Sequence, residues 1–372
     1  MPGGVEDVRE DTGLLTLTKS GIVRRLTRPR LWVLLGALLC FGAFSSMCWF
    51  FLVLWLRQRL SPAFPNSGYG QILEQWKAPS PKGPWLPTLP QELGGDIIPV
   101  PCHSHNDYWR PVPLYGALAV GYTSVEADIW LDSDTNRSSD LLVGHSRGAL
   151  TPECTLSSLY ITPLVQILDH QNEGQDAVAP RVGVYNLEPN ATLVLLLDFK
   201  ERGADLWELA HEQTEPLRQK GYLRHWNGTD LVPGPITIVA SGEAAFDLVV
   251  SNTTYRDIFF DAPLEKLVVD DRYNWTNSYY ASSSLARAVG TPWLGRLSTS
   301  QRSTVELQVQ AARQRGLLAR YWGTPSWPVS TRTAMWRTLV SLGVGVLNVD
   351  DLIPAGLWNW DWCVVAGVSL CG

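Results

Sequence analysis

The stretch IIPVPCHSHNDYWRPVPLYGALAVGYTSVEADIWL (97–131) decides the fold. IIPVPCHSH (97–105) predicts a strand that turns polar at His103 and His105. PLYGALAVG (113–121) has helical spacing and stops at Gly121. SVEADIWL (124–131) predicts the next strand, with Glu126 and Asp128 two residues apart. Strand, helix and strand in that order make a βαβ unit, which implies a parallel sheet.

The alternation continues outward from there. DLLVGH (140–145), TLVLLLDFK (192–200), PITIVASG (235–242), DIFFDAPL (257–264), GLLARYWGT (316–324) and GVGVLNVDDL (343–352) predict further strands. CTLSSLYITPLVQILDH (154–170) and LWELAHEQTEPLRQKG (206–221) predict helices. Nearly every strand begins apolar and ends polar. In a (β/α)8 barrel of the TIM type the active site is built at that end. Residues 96–372 suffice for such a barrel, which takes roughly 250. An open doubly wound sheet is the alternative, but no GxGxxG or Walker sequence follows the first strand.

Upstream, Leu31–Leu56 carries no charge and is long enough to span a bilayer. The run is longer than the apolar part of a cleaved signal peptide, so residues 31–56 predict an uncleaved transmembrane signal anchor. Lys19, Arg24, Arg25, Arg28 and Arg30 precede it and Arg57 and Arg59 follow it. That bias predicts a cytosolic tail over 1–30, with the catalytic domain in the secretory-pathway lumen or outside the cell. Five N-glycosylation sequons, at Asn136, Asn190, Asn227, Asn252 and Asn274, all lie downstream of the anchor. The proline-dense segment 57–95 predicts a stalk.

Composition excludes little else. Net charge is −6, so no bulk basic surface suits nucleic acid. The 17 tryptophans fit core filling first, and a surface facing lipid or sugar second. Cys102, Cys154, Cys363 and Cys371 permit two disulfides. Chain proximity suggests Cys102–Cys154 with Cys363–Cys371. Oligomeric state is not readable.

The chemistry collects at strand ends. His103 and His105, Glu126 and Asp128, and Asp198 and Lys200 are each two residues apart and so share a strand face. Carboxylates inside a packed barrel need cations. A hard divalent ion, Mg²⁺ or Ca²⁺, held by Glu126, Asp128 and Asp198 would supply one. His145 ends the run at 140–145. Two imidazoles, His105 and His145, could divide base and acid work. Lys200 would add positive charge for a phosphate. His103 either joins the site or orients it. Asn106, Asp107, Asn348, Asp350, Asp351, Arg320 and Trp322 sit at further strand ends, where site and turn roles are both open.

HSHNDY (103–108), PLYGALAVGYTSVEADIWL, LLVGH, LYITPLVQIL, LLLDFK and LNVDDL resemble the altered inheritance of mitochondria protein 6 family across roughly residues 97–352. That family belongs to the phospholipase-C-like phosphodiesterase superfamily. More distantly the skeleton is similar to glycerophosphodiester phosphodiesterases and sphingomyelinase D-like enzymes. The resemblance implies a first catalytic His at His105, a Glu-x-Asp pair at Glu126 and Asp128, a second His at His145 and a later acid at Asp198. The glycerophosphodiesterase His-Arg-Gly is replaced by His105-Asn106-Asp107, and its Pro-Glu-Asn-Thr element is absent. The implied activity is phosphoric diester hydrolysis, with a small phosphodiester or lipid headgroup as substrate. The alternatives are a non-catalytic lumenal binding protein on the same fold, and a metal amidohydrolase using His103 and His105.

Overall fold

In the computed structural model the described residues are 28–60, 67–81, 85–132, 140–176 and 179–356, with short strands at 364–365 and 368–369. The chain divides into two units at Ser61. The described part of the first is one helix, Arg28–Leu60. Its stretch Trp32–Leu52 is a candidate membrane span or signal sequence by length and composition. Those 21 residues, at about 1.5 Å each, match a bilayer core of roughly 30 Å. The expected cytosolic tail lies almost wholly outside the described residues.

The second unit is a closed barrel of eight parallel strands: Val100–Ser104, Tyr122–Trp130, Leu193–Phe199, Ile236–Gly242, Ile258–Pro263, Ser278–Ser284, Leu318–Trp322 and Val346–Val349. We call them the first to eighth strands. Each pairs with the next, and the eighth returns to the first. Alternation along the strands divides two cores. Val194, Leu196, Val239, Tyr280 and Val346 form a small inner cluster. Val125, Ala127, Leu195, Leu197, Ile238 and their neighbours join the larger core under the surrounding helices. The inward series Val194, Leu196, Asp198 runs from apolar floor to polar mouth, which is how TIM-type barrels place their sites.

Two expectations change. The run 140–145 is not a barrel strand: Leu142–Val143 pairs antiparallel to the second strand as a short hairpin arm. The sixth strand, SYYASSS, replaces it in the barrel count. Serines give it no apolar run to announce it, yet Tyr280 and Ala281 are buried. The segment 57–95 is not wholly a stalk either. Ser67 caps a helix Gly68–Gln75, and Tyr69, Ile72 and Leu93 are buried in the main core. Tyr69 donates its hydroxyl to Val184 O at 2.8 Å.

Helix limits also tighten. The helix expected over 113–121 spans Tyr115–Ala119, and Gly121 takes φ +85° where the chain turns into the second strand. The 154–170 segment opens with a π-turn, Ser157–Ile161, before Thr162–Gln171. The helix over 206–221 divides into Ala204–Gln213 and Glu215–Gln219.

The Cys102–Cys154 bridge is not formed. Cys102 is buried with Sγ 4.0 Å from Ala355 O, and both thiols are free. Cys363 and Cys371 lie outside the described residues.

Candidate active site

Strand register builds the site. Asp128 and Asp198 are direct partners on neighbouring strands, and Asp198 in turn pairs with Ser241. One carboxylate oxygen from each of Glu126, Asp128 and Asp198 lies within 4.8 Å of the others. Gly242, at φ +69°, lies where a Cβ would run into Asp198 Oδ1 and Phe199 O. Glycine is what lets the fourth strand lie this close to the third carboxylate.

Each acid has its own support. Glu126 Oε2 meets His103 Nε2 at 2.9 Å and accepts from the Asn106 backbone N at 3.3 Å. His103 Nδ1 lies 2.6 Å from Ser124 Oγ. Burial, then the Arg320 charge, pushes the His103 pKa down to about 4, so its ring is neutral. A neutral ring donates from Nε2 to the carboxylate and accepts from Ser124 at Nδ1. Burial opposes ionisation of Glu126, but the His103 hydrogen bond and the charges around it hold its pKa below the ordinary value. His103 therefore orients Glu126 and does not open to the cavity.

Asp128 Oδ2 is crowded. Lys200 Nζ is 2.7 Å away, Tyr108 Oη 2.7 Å and His145 Nδ1 3.5 Å. Among the described residues its Oδ1, which is buried, has no hydrogen-bond partner. Lys200 also pairs with Asp198 Oδ2. Burial and the negative charge of Glu126 raise the Asp128 pKa. Burial raises Asp198 to about 6, against the pull of Lys200. Lys200 thus undercompensates Asp128, which is buried, and Asp198, which is partly buried. An orphaned oxygen on Asp128, a carboxylate trio and a net negative charge fit a hard divalent cation.

The two imidazoles reach the same cavity, which has a volume of about 550 Å³. His105 Nδ1 meets Asp350 Oδ1 at 2.7 Å, which leaves Nε2 as its ring atom for substrate. Burial lowers the His105 pKa, but the Asp350 hydrogen bond and nearby acids outweigh it and the net shift is upward. His145 is half exposed, 3.2 Å from Tyr108 Oη and tilted against the Trp109 ring at 4.6 Å.

The ambiguous positions separate cleanly. Asn106 and Trp322 line the cavity, whereas Asp107 is structural. Asp107 accepts from Ser104 Oγ at 2.6 Å, Leu114 N at 2.6 Å and Tyr160 Oη at 3.1 Å, which fixes the loop after the first strand. Asp351 pairs with Arg332 away from the carboxylates. Arg320 is buried in the barrel and lines the cavity. It donates to Ser282 Oγ at 2.9 Å, Asn348 Oδ1 at 2.8 Å and Asp261 Oδ2 at 3.1 Å. Sequence reasoning missed Tyr108, Ser241, Asp261 and Ser282. Tyr108 lies inside the HNDY run, but its reach to Asp128 depends on Asn106 adopting φ +49°. Asp261 sits at a register shift of the fifth strand, which breaks the period-2 signal.

Residues 91–261 match the AIM6-like phosphodiesterase domain family. The chain is 38% identical over 278 residues to the altered inheritance of mitochondria protein 6 homolog of Arthroderma benhamiae, covering 72% of this chain and 86% of that protein. It is 37% identical to altered inheritance of mitochondria protein 6 of Eremothecium gossypii over 67% of each chain. Against the Saccharomyces cerevisiae protein of the same name it is 33% identical, over 71% of this chain and 72% of that one. No solved structure matches. A TIM-type barrel with its acids, imidazoles and lysine gathered at one mouth, and relatives of this breadth, place the chain in the altered inheritance of mitochondria protein 6 family.

Proposed function

We propose that the chain is a metal-dependent phosphoric diester hydrolase acting on a phospholipid-related or glycerophosphodiester-like substrate by His/His acid–base catalysis. The carrying observation is the buried, unpartnered Oδ1 of Asp128 beside Glu126 and Asp198. Those three residues would hold Mg²⁺ or Ca²⁺, which supplies Lewis acidity toward a phosphoryl oxygen. The protein's own groups do the rest. Lys200 and Arg320 bring positive charge to the cavity for an anionic diester. His105, raised by Asp350, suits the acid that protonates the leaving oxygen. His145, against Tyr108 and Asp128, suits the base that takes a proton from water or from a hydroxyl of the substrate. Neutral His103 keeps Glu126 ionised and aimed.

The same proposal puts the barrel on the lumenal or outer side of a membrane, carried by the candidate span. Asn190, Asn227 and Asn252 are exposed, as acceptor asparagines require. Asn136 lies outside the described residues.

The test is full chain in detergent on a panel of bis-p-nitrophenyl phosphate, glycerophosphodiesters and lysophospholipids. Cleavage that needs Mg²⁺ or Ca²⁺ and disappears in both Glu126→Gln and His145→Ala supports the reading. Metal binding through Glu126 with no turnover of any diester overturns it in favour of a binding protein.

A further inference from the structure

In the globular unit, the three described tryptophans exposed by 60% or more are Trp109 at 60%, Trp293 at 82% and Trp327 at 68%. Topology sends all three to one end. Trp109 follows the first strand, Trp293 the sixth and Trp327 the seventh, so each lies in a segment that leaves a strand at its C-terminal end. That end is the mouth of the candidate active site. Trp109 touches His145 directly, and Trp322 at the end of the seventh strand lines the cavity.

The segment Pro292–Arg296 has the form of a finger. Arg296 N donates to Trp293 O at 2.9 Å across a tight turn. Its two central residues, Leu294 at φ +48° and Gly295 at φ +69°, are both left-handed. Gly, Asn and Asp dominate such positions, and a leucine there is strained. Leu294 is 76% exposed, so no core contact repays that strain. Gly295 rests against Pro325 and Thr331, which sets the finger beside the loop that carries Trp327. Exposed Arg296 stands at the finger's base, and exposed Arg287 and Lys266 line the cavity.

Indole rings and cations together at a cavity mouth match the interfacial zone of a bilayer, where Trp sits among headgroups and basic side chains meet anionic lipid. The sequons among the described residues agree. Asn190, Asn227, Asn252 and Asn274 precede the third, fourth, fifth and sixth strands, which puts all four at the closed end of the barrel, away from the mouth. The candidate membrane span or signal sequence in the same chain agrees with a membrane setting.

We infer that the mouth of the barrel docks onto a lipid bilayer through the Trp293–Leu294 finger and Trp327, with Arg296 against the headgroups. This docking does not rest on the diesterase reading. A chain that docks and cleaves nothing would leave it standing.

The test uses full chain reconstituted in phosphatidylcholine–phosphatidylserine vesicles. A photoactivatable benzophenone side chain replaces residue 293, 327 or, as control at the closed end, 252. Irradiation and mass spectrometry then read the adducts. Docking predicts lipid adducts at 293 and 327 in at least about tenfold excess over 252. Thermal unfolding of each labelled chain confirms that it is folded. Equal adducts at all three positions overturn the inference. So does cross-linking of 293 to a second copy of the chain, which would make the finger a self-association surface.

Discussion

At the residue scale, His103 is the side chain whose role most separates this site from its sequence pattern. It faces the barrel interior, is fully buried and spends both ring nitrogens on Ser124 and Glu126. Groups that aim a ligand without touching the ion still change its binding, typically by roughly 10–100-fold. His103→Ala is therefore expected to weaken Mg²⁺ or Ca²⁺ binding by that factor. It also strands two buried partners, at about 1–3 kcal/mol of stability. Calorimetric metal titration and urea unfolding of the same variant read both effects. Unchanged metal affinity would leave His103 as a packing residue only.

His105 carries a pH prediction whose sign follows from its upward shift. A histidine raised above 6.5 keeps its proton to higher pH, so an acid role persists below the raised value and fades above it. The His105–Asp350 pair stabilises the fold in the same direction. Its contribution is whole below 6.5 and is lost as pH rises through the folded value. Asp350→Asn removes the leading cause that raises His105. The basic limb of kcat/KM on a soluble diester should then move to lower pH, with the acidic limb in place. A basic limb that stays put assigns the acid to another group.

At the element scale, the segment before the first strand is the least obvious structural part. Tyr69 is fully buried, and its hydroxyl is bonded to Val184 O more than a hundred residues along the chain. Truncating such an aromatic typically costs about 3–5 kcal/mol. Tyr69→Ala should lower the urea midpoint of the unit from residue 62 onward accordingly. A loss below about 0.5 kcal/mol, the range of neutral surface changes, would return residues 67–75 to the stalk. The segment was illegible because Pro and Gly density reads as linker, and only tertiary contact shows which apolar residues inside it are buried.

The barrel itself was legible for a physical reason. Inward and outward faces alternate with period two, so Glu126-x-Asp128 and Asp198-x-Lys200 announce strand ends that share one face. The hairpin arm 142–143 was counted among the strands because apolar character cannot distinguish a parallel from an antiparallel partner. The sixth strand escaped because its inward positions near the mouth are serines. Arg320 was visible as a strand-end cation, but it reaches Asn348 on the adjacent eighth strand and, past the sixth, Asp261 on the fifth, which no local pattern encodes.

At the scale of the whole molecule, sidedness can be tested through chemistry already built into the loops. At three sequons the asparagine Oδ1 accepts from both the backbone N and the hydroxyl of its own sequon threonine. The hydroxyl distances are 3.0 Å at Asn227, 3.0 Å at Asn252 and 2.7 Å at Asn274. These turns hold the carboxamide and threonine together at the surface, so folding does not hide the acceptor. If the tail is cytosolic and the barrel lumenal, Asn227 and Asn252 should carry glycan in chain purified from membranes of secretory cells. Endoglycosidase treatment should increase its gel mobility. Thr229→Ala and Thr254→Ala should each remove one step of that shift without altering diester cleavage, because both positions lie at the closed end of the barrel. Unmodified Asn227 and Asn252 in such material, together with protease access to the barrel in sealed microsomes, would reverse the orientation. That result would move the barrel to the cytosolic leaflet and leave the geometry of its site untouched.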